Sequence, residues 1–264
     1  MNKLLLISLW ALATSSFTGD LNNHKIAAPK EIKQTKVEVE LTKDPVRELY
    51  DEMHLAGTIK WEAFEEAMQG YNQLNPKNKN IITIIDFTLP STEKRMYVLD
   101  LKGKKMLYHS LVSHGRNSGE KFATSFSNKH GSFQSSLGFY FAEETYMGGN
   151  GYSLRLDGLE KGINDQARPR AVVVHGADYA SANVIKSTGR LGRSYGCPAL
   201  PREVTKPIIN TIKGGSLMYI YAGNKQYLAS TKMIKKGPVL TDNKTLIATQ
   251  HDEVETGSGK ATLN

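Results

Sequence analysis

At 264 residues, 39% hydrophobic and 23% charged, the chain is long enough to bury a real core, and its makeup excludes a collagen, a coiled coil and a wholly disordered protein. Its formal charge of +8 attracts acidic partners such as nucleic acid, anionic lipid or an anionic wall polymer. No interleaved aromatic and basic repeat, helix-turn-helix, RNA-recognition or zinc-finger pattern accompanies that charge, and nucleic-acid binding is set aside.

The chain opens with Lys3, a nearly all-apolar run from Leu4 to Leu12, and the small residues Ala13, Thr14, Ser15 and Ser16. This is the layout of a secretory signal peptide, assigned to residues 1–18. The run is well short of the ~20 apolar residues a membrane-spanning helix needs, so no stable membrane insertion is expected once the signal is removed. Residues 19–43 are polar and lysine-rich and read as a flexible linker. Asp44-Pro45 then starts a helical segment over 44–76. Val46, Leu49, Tyr50, Met53 and Leu55 recur at helical spacing, and a second helix from Trp61 carries Phe64, Met68 and Tyr71 on one face.

From Ile81 the pattern turns to strands. Ile81–Phe87 reads as a buried strand, and Arg95–Leu101 and Lys105–Ser113 as a hairpin around Lys102-Gly103-Lys104. Gly138–Ala142, Tyr152–Leu156, Ala171–Val174 and Ser216–Tyr221 follow, with a helix over Glu203–Ile212 that Pro207 complicates. Residues 77–224 form the predicted main domain, and 225–264 a polar tail. Many short strands, glycine-rich turns and few helices predict a mainly β (α+β) sandwich or barrel with N-terminal helices.

The chain has one cysteine, Cys197. It cannot form a disulfide within its own chain. An inert buried thiol, an intermolecular disulfide and a reactive thiol all remain open. Its setting is Gly192-Arg193-Ser194-Tyr195-Gly196-Cys197-Pro198, a turn-rich loop. His175-Gly176 ends the Val172-Val173-Val174 run upstream. A thiol nucleophile needs a base to remove its proton, since a free cysteine titrates near ~8.5, and an imidazole on a rigid strand end suits that task. A developing oxyanion needs N–H donors. Pro198 has none, which leaves Tyr195, Gly196 and Cys197.

These residues carry a resemblance. His175-Gly176 followed by Ser194-Tyr195-Gly196-Cys197 is similar to the His-Gly and Ser/Thr-x-Gly-Cys signature of the murein L,D-transpeptidase catalytic domain, with its YkuD-like fold. His114-Gly115-Arg116-Asn117-Ser118-Gly119, Phe126-Ser127-Asn128, Ser135-Ser136-Leu137-Gly138 and Ser153-Leu154-Arg155-Leu156 resemble one branch of that family. The resemblance runs from about Leu49 to Tyr221.

It implies a cysteine-dependent peptidoglycan L,D-transpeptidase in the periplasm or cell envelope of a bacterium. Cys197 would be the nucleophile and His175 the base. Gly176, Arg193, Ser194, Tyr195 and Gly196 would contact substrate or the oxyanion, with His114 and Tyr179 at the cleft. Peptidoglycan stem peptides would be the partners, with no cofactor and no metal, and a monomer is expected. Water as acceptor would give L,D-carboxypeptidase activity. Two departures stand out. Tyr195 replaces a histidine of the better-known branch, and Ala199 stands where that branch has an arginine, a charge that Arg193 or Arg202 could supply. The alternatives are an exported zinc hydrolase using His114, His130 and His175, and a catalytically inactive wall-binding domain.

Overall fold

The computed structural model describes residues 44–235. The signal peptide and linker assigned to 1–43, and most of the polar tail, lie outside the described residues. Helix α1 (Pro45–Glu52) is capped by Asp44, whose carboxylate accepts the Val46 N–H at 3.0 Å. Helix α2 (Trp61–Leu74) buries Ala63, Phe64, Ala67 and Met68 and packs against the sheet. The helical spacing read from the sequence is therefore a core-facing stripe.

Eight strands follow: β1 (Asn78–Asp86), β2 (Met96–Asp100), β3 (Lys105–Ser110), β4 (Gly138–Gly148), β5 (Gly151–Gly158), β6 (Val173–Gly176), β7 (Ala199–Leu200) and β8 (Ser216–Tyr221). They form one sheet in the order β3-β2-β1-β8-β4-β5-β6-β7. The β1–β8 and β6–β7 pairs are parallel and the rest antiparallel. β8 is buried along its whole length, as is β1 from Ile81 on. This explains why both read as continuous apolar runs without alternation. Helix α4 (Arg202–Ile212) packs against β1, β5 and β6. Pro207 sits on its exposed face, so its missing N–H costs the helix one solvent-side bond and does not break it.

The two edge strands meet. Past β3 the chain runs on to Ser113, whose N–H donates to Ala199 O of β7 at 2.8 Å. Gly115 bridges to Ser194 one step further. The sheet thereby curls into a nearly closed barrel with a seam between residues 113–116 and 194–199.

Several elements differ from the sequence reading. Ala171 adopts φ +55° at the end of a turn, so β6 starts at Val173 and carries His175 within it. Helix α3 (Ala182–Thr188) buries no residue, which leaves no apolar stripe to read. The sequence reading ended the catalytic domain at 224. Helix α5 (Lys225–Ser230) continues beyond that point and docks on the body: Tyr227 is buried, and Glu160 accepts from the Tyr227 hydroxyl at 2.9 Å, the Phe139 N–H at 2.9 Å and the Thr231 hydroxyl.

A buried polar knot backs the seam. Arg95 is fully buried. Its guanidinium donates to Val112 O at 2.9 Å, Leu89 O at 2.9 Å and His114 Nδ1 at 2.7 Å, and lies 4.8 Å from the Phe87 ring centre. Because Nδ1 of His114 accepts, Nε2 carries the proton and donates to Gly119 O at 3.2 Å. Burial first, and then the Arg95 charge, hold the imidazole down at about 4.

His114 is therefore neutral in the folded protein near neutrality, while an unfolded histidine titrates near ~6.5. Between those values the unfolded chain binds more protons, so this contribution rises with pH and is lost as pH falls from about 6.5 toward 4, by at most about 3 kcal/mol. Glu66, pushed up to about 7 by burial, gives the opposite slope in the same window. The readout is thus the difference between the wild type and His114→Gln in denaturant unfolding. That difference is expected to shrink on acidification; one that stays flat with pH would contradict a buried neutral His114.

Candidate active site

The barrel seam brings the His175 strand and the Cys197 loop together. His175 is buried in β6, paired with Ser153 of β5 on one side and Ala199 of β7 on the other. Cys197 precedes Ala199 by two residues, which sets it alongside Val173. Val173 and His175 point to the same face of β6, one two-residue step of about 7 Å apart. The thiol donates to Ala171 O at 3.6 Å and receives the Val173 N–H at 3.5 Å. The His175 ring bonds to Gly176 O through Nδ1 at 3.1 Å. Since a carbonyl can only accept, Nδ1 holds the proton and Nε2 is the free basic nitrogen. Thiol and imidazole do not bond to each other; the β6–β7 register sets the Cys197 backbone one two-residue step along β6 from His175.

Both groups are held neutral at rest. Burial pushes the Cys197 thiol up, against the opposing pull of the Val173 N–H and the Arg170 charge. Burial also lowers His175; the bond to Gly176 O raises it and Arg202 lowers it. Each shift opposes the charged form.

The loop is held by its own side chains and by the seam. The Ser194 hydroxyl accepts the Gly196 N–H at 3.0 Å and donates to Cys197 O at 2.6 Å. Ser194 N–H donates to His114 O at 3.0 Å, and Arg116 N–H to Ser194 O at 2.7 Å. Gly196 adopts φ +124°, and a Cβ there would lie 2.8 Å from Gln134 O. The position therefore demands glycine for both conformation and space. Of the three N–H donors expected from sequence, that of Gly196 is taken by Ser194. Those of Tyr195 and Cys197 have no protein acceptor among the described residues.

The other candidates divide. A Cβ on Gly176 would lie 2.8 Å from the Thr205 hydroxyl of α4, so its carbonyl beside His175 depends on that close approach. Tyr179 is half-buried and accepts the Gly192 N–H on its carbonyl at 2.8 Å. Tyr195 is 66% exposed; its ring centre lies 4.8 Å from that of Phe133 and 5.8 Å from the Arg116 guanidinium. His114 has both nitrogens engaged below the seam. Arg193 pairs with Glu120 at 2.7 Å, and Arg202 with Asp178 at 2.6 Å. Both charges proposed as stand-ins at Ala199 are thus already matched by carboxylates.

Sequence reasoning missed Arg170. Its guanidinium donates to Ser127 O, the Ser136 hydroxyl, the Ser132 hydroxyl and Gln134 O at 2.7–3.3 Å, and has no carboxylate partner among the described residues. It lies 3.2 Å from where a Cβ on Gly196 would stand. The only signal was Arg168-Pro169-Arg170 just ahead of the β-branched run.

Among the described residues, no three or more His, Cys, Asp or Glu side chains are placed to hold a metal ion. His130 is exposed while His114 and His175 are buried, and the three do not form such a group. No helix among the described residues is long and apolar enough to cross a membrane.

Comparison with curated proteins finds no match. Among solved structures, the chain is similar to an L,D-transpeptidase from Mycobacterium smegmatis, with 14% identity, a TM-score of 0.34, and coverage of 54% of this chain and 59% of that one. An L,D-transpeptidase from Mycobacterium tuberculosis H37Rv shows 16% identity and a TM-score of 0.32 over 55% and 58%. One from Stackebrandtia nassauensis shows 11% and 0.33 over 67% and 75%. The chain spans less than two thirds of the first two of these, and likenesses this distant carry no weight alone. The family model described as the L,D-transpeptidase catalytic domain, however, matches residues 55–221. That match covers more than half the chain and runs through α2, the whole sheet, the His175 strand and the Cys197 loop, so the chain belongs to the L,D-transpeptidase catalytic domain family.

Proposed function

We propose that this protein is an exported peptidoglycan L,D-transpeptidase with Cys197 as nucleophile and His175 as base. The observation that carries the reading is the β6–β7 register, which sets the strapped Cys197 loop one step along the sheet from His175, an imidazole whose proton is fixed on Nδ1 by Gly176 O. Nε2 is then free to take the thiol proton. The thiolate attacks the carbonyl after the diamino acid of a tetrapeptide stem. The free N–H groups of Tyr195 and Cys197 suit the oxyanion that forms. Collapse expels the terminal D-alanine, whose amine receives the proton from His175, and leaves a thioester on Cys197. An amine of a second stem resolves the thioester and restores the thiol. Water in its place releases a shortened stem, which is L,D-carboxypeptidase action.

Arg170 supports this chemistry as a positioning residue. Its charge favours the thiolate, and its bonds to 127–136 buttress Gly196. The thiol's bonding to Ala171 O, away from His175, favours a second reading, a wall-binding domain with a silent thiol. Acylation separates the two, since a silent thiol would form no thioester with a tetrapeptide stem or a carbapenem.

With tetrapeptide muropeptides as substrate, mass spectrometry is expected to show loss of D-alanine and a dimer. Cys197→Ala should abolish both, and His175→Ala should lower turnover by about 10²–10⁴-fold. Retained turnover in Cys197→Ala would sink the assignment. A carbapenem is expected to acylate Cys197, and peptide mapping that places the adduct elsewhere would count against it.

Arg170→Gln removes a charge that favours the thiolate, so the pH profile of alkylation by iodoacetamide should move to higher pH, with Arg170→Lys restoring part of it. An unmoved profile in a folded Arg170→Gln protein would show that Arg170 only packs.

A further inference from the structure

A second concavity lies beside the loop and is not used by the chemistry above. Its volume is about 490 Å³, and its walls come from residues 124–128, Gln134, Leu137, Gly162, Ile163 and the start and end of α5. None of its lining residues is charged, in a chain where 23% are Asp, Glu, Lys or Arg. Asp165, Glu160 and Arg170, next to the wall, are engaged, while Lys129, Lys161 and Lys225 are exposed at its rim. Asn128 Nδ2 donates to Asp165 at 2.7 Å, and the Tyr227 hydroxyl to Glu160 at 2.9 Å. Arg170 is bonded to the carbonyls of Ser127 and Gln134 at 2.8 and 2.7 Å.

What the cavity offers is amides, hydroxyls and two aromatic rings. The Gln226 amide, the Asn224 amide nitrogen and the Ser125 hydroxyl have no protein partner among the described residues, while Asn224 Oδ1 accepts the Tyr227 N–H at 2.9 Å. Phe126 is half-buried and stacked on Phe87 at 6.3 Å between ring centres, and Tyr227 is 7% exposed. Rigid aromatic edges next to unspent donors and acceptors match a ligand with apolar ring faces and many neutral hydroxyls. A phosphate, a nucleotide or a stem peptide with free carboxylates would find no counter-charge among the lining residues and would have to desolvate its own charge to sit among them.

We infer that this cavity is a saccharide subsite that takes an uncharged N-acetylated hexosamine unit of a glycan strand. The acetamido group supplies the donor, acceptor and methyl that the Asn224 and Gln226 amides and Phe126 can match. The inference rests on the murein reading for its choice of sugar: that glycan is neutral wherever its lactyl carboxylate is amidated to a stem. The cavity also shares a wall with the loop, because Ser127 and Gln134 line it and hold Arg170 against Gly196.

The test uses the full chain and N,N′,N″-triacetylchitotriose followed by saturation-transfer NMR and calorimetry. Binding is expected below about 10 mM. It should weaken by about tenfold in the double variant Gln226→Ala with Asn224→Asp, the equivalent of losing two hydrogen bonds. Asn224→Asp keeps the oxygen that caps Tyr227, and an unchanged melting temperature certifies the fold. Three outcomes overturn the inference: no binding, equal binding by the double variant, or equal binding of a glucose trimer that lacks acetamido groups. Displacement of chitotriose by a free tetrapeptide also overturns it, since the cavity would then belong to the stem. The experiment needs no turnover, so chitotriose binding by a protein with no transpeptidase activity would sink the murein reading and leave the subsite standing.

Discussion

Closure of the sheet at one seam is the constraint on which the site depends. Without the 113–116 strap, β7 would be a two-residue edge strand with no support on its outer side, and the loop before it would have nothing to hold its shape. Three backbone bonds join the strap to 194–199: from Ser113 to Ala199, from Ser194 to His114, and from Arg116 to Ser194. Each contributes only about 1 kcal/mol net, so geometry matters more here than energy. The seam fixes β7 in parallel register with β6, and that register sets Cys197 one step from His175. The Arg95–His114 knot holds the strap from below. Arg95 can be buried there because carbonyls, His114 and the Phe87 ring occupy its guanidinium. His114 therefore belongs to the architecture that holds the strap and, through its carbonyl, the Ser194 end of the loop.

The same geometry sorts the positive charge of the chain. Around the loop, Arg190 and Arg193 share Glu120, and Arg202 is closed on Asp178. These exposed pairs add little stability, but they remove three cations from the local field. Arg116 over Tyr195 and Arg170 behind Gly196 have no carboxylate partner among the described residues. The +8 of the whole chain is thus a poor guide to the site, where two particular guanidinium groups set the field.

Much of this was legible in the sequence, for physical reasons that can be named. The β-branched and aliphatic runs at Ile81–Phe87 and Ser216–Tyr221 are strands buried on both faces, and hydrophobicity alone marks them. The His-Gly and Ser-x-Gly-Cys segments stood out by their resemblance to a family signature, and the structure brings their strand and loop together at the seam. What could not be read was long-range or polar. Helix α3 buries nothing, and α5 is too short for a stripe; its docking depends on one buried carboxylate, Glu160, 65 residues or more upstream. The seam itself joins Ser113 to Ala199 by main-chain atoms, which leave no trace in side-chain pattern. Arg170 was invisible because its role comes from carbonyls it meets only after folding.

The electrostatics of the resting pair constrain any mechanism built on it. A preformed thiolate–imidazolium pair needs a lowered thiol and a raised imidazole. Burial drives both the other way, and the thiol's bond to Ala171 O stabilises its protonated form. A proton can still pass once something makes the charged state cheaper. Arg170 and the Val173 N–H already act in that direction on sulfur, and Gly176 O does so on the imidazole. The remaining bias has to come from the substrate, whose carbonyl would draw the thiol from Ala171 and convert charge on sulfur to charge on an oxyanion facing two free N–H groups. On this account the neutral resting state and the unsatisfied donors are two halves of one device. Under the proposed mechanism the thiol stays protonated until an acyl group arrives to accept its charge.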